Sequence, residues 1–252
     1  MEARDQELEQ RLAQHVGDGA PIYAFRELGS TIDMASSLAT QGATEGTLVF
    51  ARRQSKGRGR LGRTWSSPEG GLYCSLILRP RRSSSEISQL SLVAGLAVVE
   101  AIQKLTGLAP SIRWPNDVLL KSQKVCGVLV EAKGEAVIVG IGVNVTTDPR
   151  LLPVTATSLA AAGRACDAHR LAGALYGHFR GWYDEWTARG FAPIRQALRP
   201  WITLFGQVVH VTAGSEELEG TATDLDESGR LLVRLDSGIV RAFDAGEITL
   251  LR

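Results

Sequence analysis

Residues 54–65 read QSKGRGRLGRTW and set four cations (Lys56, Arg58, Arg60, Arg63) among three glycines, after the apolar run 47–51. Glycines let backbone N–H groups close around an anion, and each guanidinium offers a planar fork that matches phosphate or carboxylate. The stretch therefore suits an anionic ligand. From these residues alone, a solvated basic loop or an arginine-glycine segment on RNA reads as well as a mononucleotide site. No GxxxxGK[ST] occurs in the chain, and the loop is not a GxGxxG turn opening a helix.

A second polar group lies in 112–131 (IRWPNDVLLKSQKVCGVLVE). Arg113 and Trp114 end a short apolar strand, Pro115 and Asn116 break it, Asp117 follows, and 118–120 resume extended structure before a polar turn. A proline inside an apolar strand forces a bulge or an edge and re-aims its neighbours. Asn116 and Asp117 are thus placed by the backbone, with an Asx-turn as the plain alternative. Lys124 opens the next strand, 125–132, where a lone lysine is usually only solvated.

The third stretch, 136–145 (AVIVGIGVNV), is a continuously apolar strand with Gly140 and Gly142 two apart and Asn144 near its end. Glycines on one strand face leave room for a flat or bulky group, or for a closely packed helix. Asn144, polar in an apolar run, points to a functional or turn role. A fourth signal is the hydroxyl pair Ser30 and Thr31 before the helical run 32–40. The ordinary reading is an N-cap, and hydroxyls with free N–H groups at a helix start also receive a polar ligand head.

The elements that must hold these groups follow from pattern. A lead-in helix over 5–16 is ended by GDGAP, a strand begins at 22–25, and Gly42 stops the helix from 32. The run 72–78 (LYCSLIL) reads as a fully buried strand with Cys74 in the core. Ser83 to Glu86 fits a capping box before a long, mostly buried helix over 87–105, with Gly107 past its end. Asp167 caps a helix over 168–188 whose Leu171, Leu175, Phe179, Trp182, Tyr183 and Trp186 form a core stripe, while His169 and His178 are assigned no chemistry. A short helix over 193–199 ends at Pro200, and from about 203 short strands with turn signals suggest a small β-barrel.

The chain has 252 residues, 44% hydrophobic, with net charge +1, so it buries a real core and reads as one large domain, alone or with a small one. Its basic character is local, which favours a small anionic ligand over a long polyanion. Three scattered cysteines without a CxxC argue for a reducing compartment. The start lacks an apolar core segment and no stretch approaches a membrane span, so a soluble, cytoplasmic protein is expected.

Gly29-Ser30-Thr31, QSKGRGRLGRTW, GGLYCSL, RWPNDVLL, KVCGVLVE and GIGVNV, in this order, resemble the motifs of biotin protein ligases, which attach biotin to a lysine of carboxylase carrier domains. The resemblance covers about residues 20–200 and departs at Ile32, where the family often has Asn. It implies an α/β (α+β) fold: a mixed-sheet catalytic domain over 1–202, with 1–20 as lead-in, then an SH3-like β-barrel over 203–252. It implies ATP, Mg2+ and biotin as reactants, a biotinyl-5'-adenylate intermediate, and a biotin carboxyl carrier domain as acceptor. By resemblance, Ser30, Thr31, Ile32, Gln54, Arg58, Gly59, Arg60 and Lys124 meet biotin. Arg60, Arg63, Trp65, Asn116, Asp117, Lys124 and Asn144 meet the nucleotide, with Lys124, Arg60 and Asp117 as the catalytic groups. No metal ligands are expected from the protein itself. The family's repressors carry an N-terminal DNA-binding domain for which this chain lacks the length, so no DNA binding is expected; homodimers through sheet edges are one available assembly. The rival readings are a lipoate ligase or octanoyltransferase on the same fold, and a nucleic-acid-binding module.

Overall fold

A computed structural model describes residues 3–17, 19–214, 216–244 and 246–250. The larger part runs α1 (Gln6–Val16), β1 (Ile22–Leu28), α2 (Thr31–Thr40), β2 (Leu48–Gln54), β3 (Gly71–Leu78), α3 (Ser84–Ile87), α4 (Leu90–Thr106), β4 (Ser111–Arg113), β5 (Asp117–Leu120), β6 (Gln123–Lys133), β7 (Ala136–Asn144), α5 (Ala168–Arg189) and α6 (Phe191–Leu198). Five strands follow: β8 (Val208–Ala213), β9 (Glu216–Leu225), β10 (Leu231–Arg234), β11 (Val240–Phe243) and β12 (Glu247–Leu250).

The first seven strands form one sheet in the order β1-β2-β3-β7-β6-β5-β4. β1 and β2 pair in parallel and every other neighbour is antiparallel. This is the expected mixed sheet. All eight residues of β3 are buried because β3 is central and covered on both faces, which is why its sequence is apolar without alternation. One face carries α1, α4 and α5, and the other carries α2, whose Ile32 and Ala35 pack with Phe25, Leu28, Val49 and Ile138. The last five strands form a second, wholly antiparallel sheet in the order β11-β10-β9-β8-β12, the SH3-like unit.

Several boundaries differ from the sequence reading for local reasons. The single helix expected over 87–105 is two helices, because the Glu86 carboxylate takes both the N–H of Ser83 (3.1 Å) and its hydroxyl (2.7 Å), closing a short first turn. Buried Gln89 then accepts from Trp186 Nε1 at 2.7 Å, and α4 runs on to Gly107, whose left-handed φ of 69° ends it. By length and composition the stretch Ser84–Thr106 could span a membrane, yet most of it is buried as a core layer. Asp167 caps α5 as expected, accepting from the N–H groups of His169 and Arg170, each at 2.9 Å. Trp182 is only half-buried, its Nε1 donating to Glu100. α6 starts before Pro193, and Pro200 lies within a further 3-10 turn, Arg199–Trp201. Pro115 follows a cis bond in the turn joining β4 to β5, and β4 is a sheet edge.

Candidate active site

All thirteen residues given a biotin or nucleotide role line one cavity of about 510 Å³, whereas Lys56 of the basic loop does not. Topology explains the convergence. The start of α2, the ends of β2 and β7, the start of β6 and the β4–β5 turn all open toward one end of the sheet, and the basic loop closes over them.

The loop is tied at both ends. Ser55 and Lys56 donate their N–H groups to the carbonyls of Leu28 and Gly29 at 2.9 and 2.8 Å, and Trp65 N–H returns to Gly57 O at 2.9 Å. Gly57 has no room for a side chain, since a Cβ there would run into the Trp65 carbonyl and the Ser67 hydroxyl. At the tip, Gly59 N–H donates to Arg63 O at 2.7 Å and Leu61 adopts a left-handed φ of 56°, exposing its side chain.

The hydroxyl pair is organised differently from the expected cap. Ser30 occupies the N-cap position of α2 but makes no capping bond. The helix start is instead held by Gln54, whose Oε1 accepts from Thr31 N–H at 2.7 Å and from Thr31 Oγ1 at 3.1 Å. Gln54 Nε2 donates to Ser67 Oγ at 2.9 Å, leaving its second hydrogen for a ligand. Ile32, at the position of the family's Asn, joins the core under Gly140 rather than offering a polar contact.

The charged groups meet at Asp117. Lys124 Nζ lies 2.6 Å from Asp117 Oδ1, an ion pair whose angles fall outside a hydrogen bond, and Arg113 donates to Oδ2 at 2.7 Å. Arg60 donates to Asn116 Oδ1 at 2.9 Å, and Asn116 Nδ2 donates to Val128 O at 2.9 Å, so the asparagine fixes the arginine to the sheet. Burial pushes the Arg60 guanidinium below its usual value, with nearby Asp117 opposing the shift. Arg58 turns outward to Asp33 at 2.8 Å and to Glu131 at 3.4 Å. Five cationic side chains and one carboxylate line the cavity, so its charge is strongly positive.

Buried polar atoms without a hydrogen-bond partner also gather here: Ser30 Oγ, Trp65 Nε1, Asp117 Oδ1 and Asn144 Oδ1. Such atoms are costly unless a ligand or water satisfies them. Asn144 has a structural duty as well, its Nδ2 donating to Thr157 O at 3.0 Å and its carbonyl accepting from Leu159 N–H at 3.0 Å. Among the described residues no group of three or more His, Cys, Asp or Glu could hold a metal.

Sequence reasoning missed part of the lining. Gly127 sits opposite Gly142 in the sheet, a relation visible only once the register is known. Arg113 stood inside a quoted motif but received no role. Thr212, Ala213, Gly246 and Ile248 reach the cavity from the small sheet, and nothing in their local pattern separates them from ordinary strand ends.

Residues 25–148 match the biotin/lipoate A/B protein ligase family and residues 204–251 the biotin protein ligase C terminal domain. A biotin--[acetyl-CoA-carboxylase] ligase of Paracoccus denitrificans is 36% identical over 204 residues, covering 75% of this chain and 85% of that protein. The chain belongs to the biotin protein ligase family. The bifunctional ligase/repressor BirA of Bacillus subtilis (strain 168) is likewise 36% identical, over 86% of this chain and 70% of its own length. Biotin protein ligase from Aquifex aeolicus in complex with biotin and ATP superposes with a TM-score of 0.82 at 32% identity, covering 92% of this chain and 99% of that one. The second family match is named for biotin ligases alone, and it falls on the small sheet that helps line the cavity.

Proposed function

We propose that the chain joins the carboxylate of biotin to the α-phosphate of ATP in this cavity and passes the biotinyl group to a lysine of a biotin carboxyl carrier domain. In the first step a carboxylate oxygen bonds to the α-phosphorus and the bond to the β-phosphate bridge breaks, releasing pyrophosphate. In the second, the lysine amine attacks the carbonyl of the mixed anhydride, AMP leaves, and the amine gives up a proton. The difficulty of the first step is bringing two anions together. The observation that carries the reading is the ratio of five cationic side chains to one carboxylate around a single cavity, because fixed positive charge lowers that barrier without reorganisation.

The roles follow position. Ser30 and Thr31, with the remaining Gln54 hydrogen, meet the urea and carboxylate ends of biotin, whose burial unpaired would be costly. Ile32 lends an apolar wall, and Arg58 and Gly59 cover the ring. Lys124 bridges the carboxylate and the α-phosphate, Arg60 and Arg63 approach the phosphates, and Trp65, Asn116 and Asn144 border the nucleotide. Asp117, between Lys124 and Arg113, orients the lysine and is the acceptor for the incoming amine's proton. Mg2+ supplies charge neutralisation on the ATP phosphates, which bring the ion, since the cavity's single carboxylate is already paired. The boundary at 202/203, a cytoplasmic setting, and pairing of two copies through an open edge at β1 or β4 are further parts of the proposal. Incubation with biotin, ATP, Mg2+ and an acceptor domain tests the reaction: a mass gain of one biotinyl group on a single lysine is expected, and an unmodified acceptor contradicts it.

A further inference from the structure

β6 and β7 pair with Gly127 directly opposite Gly142. Paired positions share a sheet face, so two adjacent blanks lie on the face turned to the cavity, which both glycines line. Trp65 fills them. A Cβ on Gly142 would stand 2.5 Å from Trp65 Nε1 and 2.8 Å from Cε2, and a Cβ on Gly127 would stand 3.1 Å from Cζ3. The same Gly127 Cβ would lie 3.2 Å from Lys124 Cε and 3.3 Å from Nζ. Neither glycine has the positive φ that would demand glycine on backbone grounds. What each position requires is the absence of a side chain.

The indole nitrogen is buried without a hydrogen-bond partner, so contact rather than hydrogen bonding sets the plane of the ring. Lys124 Nζ lies 5.2 Å from the ring centroid and 2.6 Å from Asp117 Oδ1. Gly140, two residues before Gly142, serves another purpose: its blank is filled by Ile32 of α2 at 2.5 Å, ordinary packing of helix on sheet. We infer that Gly127 and Gly142 are positioning residues for ligation, a two-glycine seat that fixes the Trp65 indole and, through Gly127, leaves the Lys124 ammonium its place near ring and carboxylate. The inference rests on the proposed roles of Trp65 beside the nucleotide and Lys124 at the reacting phosphate.

A double-mutant cycle separates a seat from a general packing role. Pyrophosphate release at saturating biotin is measured for the natural sequence, Gly142→Ala, Trp65→Ala and the double variant, with circular dichroism confirming folding. Gly142→Ala is expected to raise KM for ATP by about tenfold, the scale of an overpacked contact, with the calorimetric Kd for biotin changed by less than about twofold. In the Trp65→Ala background the same substitution should change KM for ATP by less than about twofold, since the ring it displaces is gone. If Gly142→Ala does not fold, Gly127→Ala takes its place in the cycle, and because its Cβ would also meet Lys124, its fold-change in KM should shrink rather than vanish in the Trp65→Ala background. Equal fold-changes in both backgrounds overturn the seat while leaving the ligase reading intact. A Trp65→Ala variant with unchanged KM for ATP overturns the seat together with the role of Trp65.

Discussion

Lys124 reaches the cavity from the second residue of β6, and one oxygen of Asp117 holds its ammonium at 2.6 Å while Arg113 holds the other oxygen at 2.7 Å. The carboxylate aims the lysine without cancelling the positive field of the cavity. Replacing Lys124 by Ala should lower the rate of biotin-dependent pyrophosphate release by about 100-fold or more, the scale of losing one fixed group that stabilises developing charge. Lys124→Arg should restore little, because a planar fork does not reproduce a point charge near Asp117 and the Trp65 ring. Gln54→Ala should weaken biotin binding measured by calorimetry and cost about 1–2 kcal/mol of stability, since Thr31 N–H loses its acceptor. Lys124, Asp117 and the arginines were legible because their types and motifs survive without knowledge of contacts. The Gln54–Thr31 bond was not. The N-cap rule looks to the neighbouring residue, and the acceptor here comes from 23 positions away.

At the scale of elements, the basic loop is the part whose behaviour decides function. Its return is pinned by Trp65 N–H to Gly57 O, and its tip carries exposed Leu61 in a left-handed conformation. Because the adenylate is labile in water, the loop should close over it when biotin binds. Limited proteolysis within 54–65 should therefore slow on adding biotin, and equal cutting rates count against ligand-driven closure. The strands β3 and β7 were readable as continuous apolar runs because both faces are covered. The interruption between α3 and α4 was hidden, because it arises from the side chain of Glu86 bending back to Ser83 and from a tertiary bond between Gln89 and Trp186.

Across the whole molecule, the small sheet is fastened to the site. Trp114, in the turn that carries Asn116 and leads into Asp117, donates its buried Nε1 to Gly229 O at 3.0 Å, and Asp224 meets Arg199 and Arg195 at 2.8 and 3.2 Å. Trp114→Phe should lower stability by about 1–3 kcal/mol by leaving that carbonyl unpaired, and should raise KM for ATP. The turn residues announced the strands of this sheet, but its share of the cavity depends on docking that no local pattern records. Stability should also fall in alkali. Burial pushes the Cys74 thiol from 9.0 up to about 12 and moves Cys126 upward as well. Between about pH 9 and 12 the unfolded chain releases these protons while the native state keeps them, so stability is full below pH 9 and declines above it. Melting temperatures across that range should show the decline, and Cys74→Ala should make it shallower.

The central claim is that fixed cations in one cavity bring biotin's carboxylate to the α-phosphate of ATP. Its most direct test is to supply the purified protein with biotin, ATP and Mg2+ and to trap the product with hydroxylamine. Biotin hydroxamate and an equal amount of pyrophosphate should appear, both strongly reduced in Lys124→Ala. Folded protein that binds both small molecules and yields neither product would contradict the account.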